Sequence, residues 1–346
     1  MRKLMLLISV VVFLAVPVSA MEFTSPQPPQ SADEYMPNDT ENFGEGLWQI
    51  VQNALELSKP SILEASGTCL SLICVCLVTG LFVNIAEPSS SATAFLSTSI
   101  VAVILLKPTD SLIRMGTDTI QEVSQYGRIL LPVMTTALAA QGAVTKSGAL
   151  YTVTALFDAI LSTAISELLT PVIYIFLCVC VACCLVKQSI LQEMRKFLKW
   201  LPTWSLRTIL YVFTGYIGIT GVVSGTTDAA ILKATKLTIS GAVPVVGNIL
   251  SDASEAVLVS AGLMKNTVGI YGMLAIVAIW IGPFVKIGVQ YAMLKLTIGI
   301  CGMFAPKQAT DLIADFSTTM GLILAMTGAV CVIFLISTIC FLKGVA

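Results

Sequence analysis

The sequence predicts an all-α, polytopic integral membrane protein. Three observations carry that prediction. Apolar residues make up 56% of the 346-residue chain and charged residues only 11%, against about 25% charged in soluble domains. Mean hydropathy is +0.90. The apolar residues are gathered in runs close to the roughly 20 residues a helix needs to cross a hydrocarbon core. Together these exclude a soluble globular enzyme. They predict about 6–8 transmembrane helices after a signal peptide, with interfacial amphipathic helices between them.

Residues 1–20 read as the signal peptide. Arg2 and Lys3 precede an apolar core from Leu4 to Val16, and Val18-Ser19-Ala20 is an A-x-A-like cleavage site. Cleaved or retained, this segment delivers the next one to the outer side of the membrane. Residues 21–66 carry eight acids and one base, Lys59. The Pro-, Ser- and acid-rich part, 21–46, predicts a mobile extracytoplasmic tail. Residues 47–64 predict an amphipathic helix, with Leu47, Ile50, Val51, Ala54 and Leu57 at helical spacing and a break near Pro60.

Residues 67–346 form the polytopic domain. The expected spans are 67–86, 91–106, a pair at 129–144 and 148–164, then 168–186, 208–226, 267–285, 287–305 and 316–342. The 129–164 pair is either two full spans or one re-entrant hairpin. Between 91–106 and that pair, residues 110–128 read as a second interfacial helix, with an expected Arg114–Asp118 pair. The loop 187–207 holds Lys187, Arg195, Lys196, Lys199 and Arg207 against Glu193, which places it in the cytoplasm. Alternating spans then bring Lys286 and Lys343 to the same side.

That basic segment is amphipathic. Ile190, Met194, Phe197, Leu198 and Leu201 share one helical face, and Arg195, Lys196 and Lys199 lie on the other. Trp200 and Trp204 flank Pro202 at a level suited to a membrane interface. The three bases are therefore candidates for cytoplasmic docking or lipid binding, beside the plainer role of fixing topology. Residues 227–266 read as a short helix, a Gly/Pro break at Gly241–Gly247 and a new helix capped by Ser251 or Asp252, the pattern of an extracytoplasmic loop or a re-entrant hairpin.

The chain has no His. That removes His metal sites, Ser-His and Cys-His catalysis and His relays. There is no P-loop, Rossmann fingerprint or G-x-S-x-G. The ten Cys residues all sit in apolar runs. Even the Cys180–Cys183 pair, at C-x-x-C spacing, reads as packing. A non-enzymatic protein without a cofactor is the expectation, and no basic domain points to nucleic acid. The ionisable groups inside spans, Lys295 and Asp158, are the candidate functional residues, because burying charge in a bilayer is costly.

Three blocks carry a family resemblance: LLPVMTTALAAQGAV (Leu130 to Val144), TDAAILKATKLTISGAVPVVGNILSDASEAV (Thr227 to Val257) and LMKNTVGIYGML (Leu263 to Leu274). In this order they resemble the stage III sporulation protein AE family, over roughly residues 110–346. The most specific part is PVVGNILSDA, which adds Pro244, Gly247, Ser251 and Asp252 to the candidate residues, with Lys295 in YAMLKL. The resemblance implies a membrane subunit of a channel, or feeding-tube, complex between mother cell and forespore, in the mother-cell membrane surrounding the forespore. The partners it implies are the other stage III sporulation A-operon proteins, an ATPase and ring-forming subunits, and indirectly stage II sporulation protein Q. A competing reading from the residues alone is a self-contained secondary transporter with a midplane site near Lys295 and Asp158.

Overall fold

The structure, a computed structural model, describes residues 26–37, 43–85, 91–140, 144–186, 188–219 and 267–343. The expected signal peptide and the 227–266 element, with Pro244, Gly247, Ser251 and Asp252, lie outside the described residues. Every regular element among those described is helical: α1 (Gln30–Asp33), α2 (Phe43–Leu57), α3 (Lys59–Ile85), α4 (Ser91–Ala140), α5 (Val144–Thr163), a π segment (Ala164–Leu169), α6 (Thr170–Leu185), α7 (Ser189–Ile219), α8 (Thr267–Cys301) and α9 (Lys307–Lys343). Five stretches among the described residues are long and apolar enough to cross a membrane: Lys59–Phe82, Phe95–Thr136, Ser147–Leu185, Val268–Cys301 and Lys307–Leu342. The protein is an all-α polytopic membrane protein.

The main difference from the sequence reading is that expected neighbours fuse into rods. Residues 91–106, 110–128 and 129–140 are one helix, α4, which runs through Pro108 and Pro132. Its 50 residues measure about 75 Å at 1.5 Å per residue. The 148–164 and 168–186 stretches join through the π segment. The 267–285 and 287–305 stretches are the single helix α8, with Pro283 inside it. Lys286 therefore lies within a helix, not in a turn. Proline is tolerated in an apolar rod because neighbouring helices and hydroxyls satisfy the freed carbonyls.

Six rods result among the described residues: α2–α3, α4, α5–π–α6, α7, α8 and α9. They alternate in direction. Arg195 near the start of α7 meets Asp315 near the start of α9, and Gly80 near the end of α3 abuts Phe304 in the α8–α9 turn. These points share what we call the basic end. The end of α9 lies at the opposite end, so Lys343 does not share a side with the 187–207 segment as the sequence predicts. The fusion of two expected spans into α8 removes one crossing and reverses the last helix.

Helix α9 is the axis. It packs on α8 and α4 most extensively, and also on α5, α6 and α7. Phe316, Met320, Ile323, Phe334 and Phe341 are buried along it. Small residues let the rods close on one another. Gly116 of α4 sits directly on Ile323 of α9, where any Cβ would collide.

The acidic segment also differs from expectation. Residues 26–37 form a packed strap between α4 and α8. Ala32 and Tyr35 are buried, and Tyr35 lies over Gly282, where a Cβ would strike its ring. Ser31 Oγ donates to Glu122 at 2.6 Å, and the Tyr126 hydroxyl donates to the Pro26 carbonyl at 3.2 Å. Burial, with Glu34 adding to it, pushes the Tyr35 phenol above its ordinary pKa, so it stays neutral and suited to this contact. A few apolar side chains suffice to order a polar segment when a groove is waiting for them.

Candidate functional site

Two buried carboxylates stand out, one toward each end of the bundle, each met by an arginine from a neighbouring rod. Asp158 on α5 is 2% exposed. Its Oδ1 accepts from Ser124 Oγ at 2.7 Å, and its Oδ2 faces Arg128 Nε at 3.3 Å. Both partners are on α4, one turn apart, which is why a single carboxylate reaches both. One turn before Asp158, Thr154 Oγ1 donates to Ser337 of α9 at 2.9 Å. This polar group ties α4, α5 and α9 together.

The second carboxylate is Asp315 on α9. Its side chain is 5% exposed, and Arg195 from α7, 28% exposed, reaches it at 2.6 Å through Nη2 and at 2.9 Å through Nε. Both contacts go to Oδ1, and Oδ2 of the same carboxyl is buried with no hydrogen-bond partner among the described residues. The sequence-based placement of Arg195 on an outward basic face is thus overturned. Arg195 turns inward, because a carboxylate buried near the start of α9 needs a cation and α7 is the rod that passes it.

The rest of the basic segment follows from that roll. It is helical from Ser189 on and continuous with the expected 208–226 span as far as Ile219. Lys196 pairs with Glu193 at 2.7 Å on the exposed side, and Lys199 is exposed. Leu198 is buried and Leu201 half-buried, whereas Ile190, Met194 and Phe197 are exposed. Trp200 stacks on Trp204 with ring centroids 5.5 Å apart. The expected apolar face is thus split: Leu198 and Leu201 turn inward, while Ile190, Met194, Phe197 and the two Trp rings face outward, as a helix at a lipid interface would place them.

Lys295 and Asp158 are not brought together. Lys295 is exposed on α8, with its ammonium 5.5 Å from the centroid of the Tyr291 ring. Arg114 pairs with Asp110 at 3.0 Å, not with Asp118. Asp110 is held there by the Tyr174 hydroxyl of α6, which donates to it at 2.8 Å, and an acid four residues before a base is the favoured order on a helix. Ser124, Arg128 and Asp315 are not among the residues the sequence singles out. Arg128 and Asp315 were legible only as charges near the edge of an apolar run. Among the described residues, no cluster of three or more Cys, Asp or Glu could hold a metal. What the arrangement does chemically is pin rods together by charge in a low-dielectric interior.

A family model described as Stage III sporulation protein AE matches residues 32–344. A protein of Bacillus subtilis (strain 168), Stage III sporulation protein AE, is 25% identical over 223 residues, covering 64% of this chain and 56% of that relative. The chain thus aligns with little more than half the length of the curated relative it matches. No solved structure matches.

Proposed function

Because the chain belongs to the stage III sporulation protein AE family, we propose that it is a non-enzymatic membrane subunit of the channel complex between mother cell and forespore. In this reading it lies in the mother-cell membrane surrounding the forespore and supports late forespore gene expression. Its partners are the ATPase and ring-forming proteins of the stage III sporulation A operon, and indirectly stage II sporulation protein Q. The observation that carries the reading is the family match, which extends over the whole helical bundle. A bundle with a packed axis suits a membrane subunit of a larger complex.

The transporter reading put a midplane site near Lys295 and Asp158, with the broken segments 129–164 and 227–266 as its discontinuities, and would gain if the two charges paired. That pair is not formed: Asp158 engages Ser124 and Arg128, and Lys295 lies over Tyr291 on the outside. The test is affinity purification of tagged protein from sporulating cells. Co-purification of the ATPase or ring proteins is the expected result. Isolation of the protein alone, with solute flux in proteoliposomes, would overturn the proposal in favour of a transporter.

A further inference from the structure

Gly116 of α4 faces Ile323 and Thr327 of α9 and Ile287 of α8, and so marks one level near the middle of the bundle. Four other rods are irregular close to this level. On α8, Pro283 lies one turn from Ile287. On the α5–α6 rod, the contacts Asp158–Arg128 and Tyr174–Asp110 bracket the π segment 164–169 against the part of α4 around Gly116. On the α2–α3 rod, Gly46 meets Leu274 and Cys69 meets Met293 and Thr297, so the break at Ser58 falls between them, beside Pro283. On α7, Pro202 lies between the Arg195–Asp315 contact and the Phe157–Phe213 contact.

Each irregularity weakens its helix in its own way. A proline removes a backbone hydrogen bond and displaces the carbonyl four residues before it. A π turn shifts the hydrogen-bond register: the Thr170 N–H donates to the Ile165 carbonyl five residues back, and the Thr170 hydroxyl donates to the same carbonyl at 2.9 Å. At Ser58 the helix is interrupted outright, and the Ser58 hydroxyl donates to the Leu55 carbonyl at 2.7 Å. A charged residue sits in or within one turn of each one: Lys59, Glu167, Lys199 and Lys286. The prolines of α4, Pro108 and Pro132, lie on either side of the level, leaving α4 and α9 as unbroken spines through it.

We infer that the bundle is built to bend at this one transverse level, as two packed halves hinged on α4 and α9. Sharp helix bends arise at prolines and π turns, and hinges concentrate where few backbone hydrogen bonds must change. Four breaks on four rods at one height let both halves move without unpacking either. This goes beyond the proposed role in the sporulation complex and does not depend on any partner.

The experiment is hydrogen–deuterium exchange of the full-length protein in nanodiscs, with Pro283→Ala beside the wild type. In the wild type, residues 55–60, 163–171, 199–206 and 280–287 should exchange at least about tenfold faster than turns farther along the same helices. Pro283→Ala restores a hydrogen bond on α8 alone. It should nevertheless slow exchange at 163–171 and 199–206 by about threefold or more, since the rods open together. Uniform protection along the rods would overturn the inference, and so would a slowing confined to α8. If Pro283→Ala does not fold, Pro202→Ala serves in its place, with 163–171 and 280–287 as the distant reporters.

Discussion

Helices α9 and α3 are alike as sequences and opposite as structures. Their most apolar windows have hydropathies of 2.6 and 2.0, yet 83% of the α9 window is buried inside the protein and only 28% of the α3 window. On α3, Leu70, Leu77, Leu81 and Phe82 are exposed, whereas on α9 Phe316, Phe334 and Phe341 are sealed among other rods. Hydropathy therefore reports that a segment avoids water and is silent on whether it meets lipid or protein. The distinguishing mark is the polar content of the buried face. Helix α9 carries Asp315 and Ser337 in buried positions, met by Arg195 and Thr154 of neighbouring rods, partners that lipid would not offer.

The largest expected effect lies on α9. Phe334→Ala, opposite Gly127 of α4, should leave a cavity the rods cannot close and cost about 3–5 kcal/mol. Thermal unfolding in nanodiscs reads this directly, and a loss no greater than that of Leu77→Ala on α3 would erase the contrast. Next comes the pin between α7 and α9. Arg195→Ala strands the Asp315 carboxylate and should cost about 3 kcal/mol, and Asp315→Asn in the same chain should recover much of it. Failure of the double variant to recover would mean that Arg195 acts by packing alone.

Smaller is the effect of Gly282→Val, which drives a side chain into Tyr35. It should cost about 1–3 kcal/mol and release the strap, read as new protease cleavage between residues 26 and 37. Intact resistance to protease would place the strap elsewhere. Smallest is Lys295→Leu, within about 0.5 kcal/mol of wild type, since the side chain is exposed and its aromatic contact is weak. A severe loss there would show that α8 has a buried face at Lys295 in the assembled protein.

The apolar runs were legible because lipid and protein interiors both demand them. The helix at 43–57 and its break at Ser58, close to the expected Pro60, were legible from period and proline. The joins were not. A charge one turn after a proline, as at Pro283 and Lys286, has the same sequence whether it marks a turn in water or a bend inside a rod. The pairing of Arg195 with Asp315 was not legible either, because it spans 120 positions and depends on which rods become neighbours. Asp158 was found for a physical reason, the cost of a buried charge, but its partners on α4 required the fused rod to be known. Lys295 fitted the same criterion and is exposed, because a long side chain at the outer surface escapes that cost.

The strap also has a consequence in time. Its groove is made partly by α8, so Tyr35 reaches Gly282 only after nearly all of the chain has been synthesised. The strap, the earliest of the described segments, thus finds its place only after α8 has emerged. Until then the groove stands open and the strap is unprotected, a slow long-range closure of the kind that limits folding. The membrane insertion machinery must hand over α4 and α8 before the strap can lock between them.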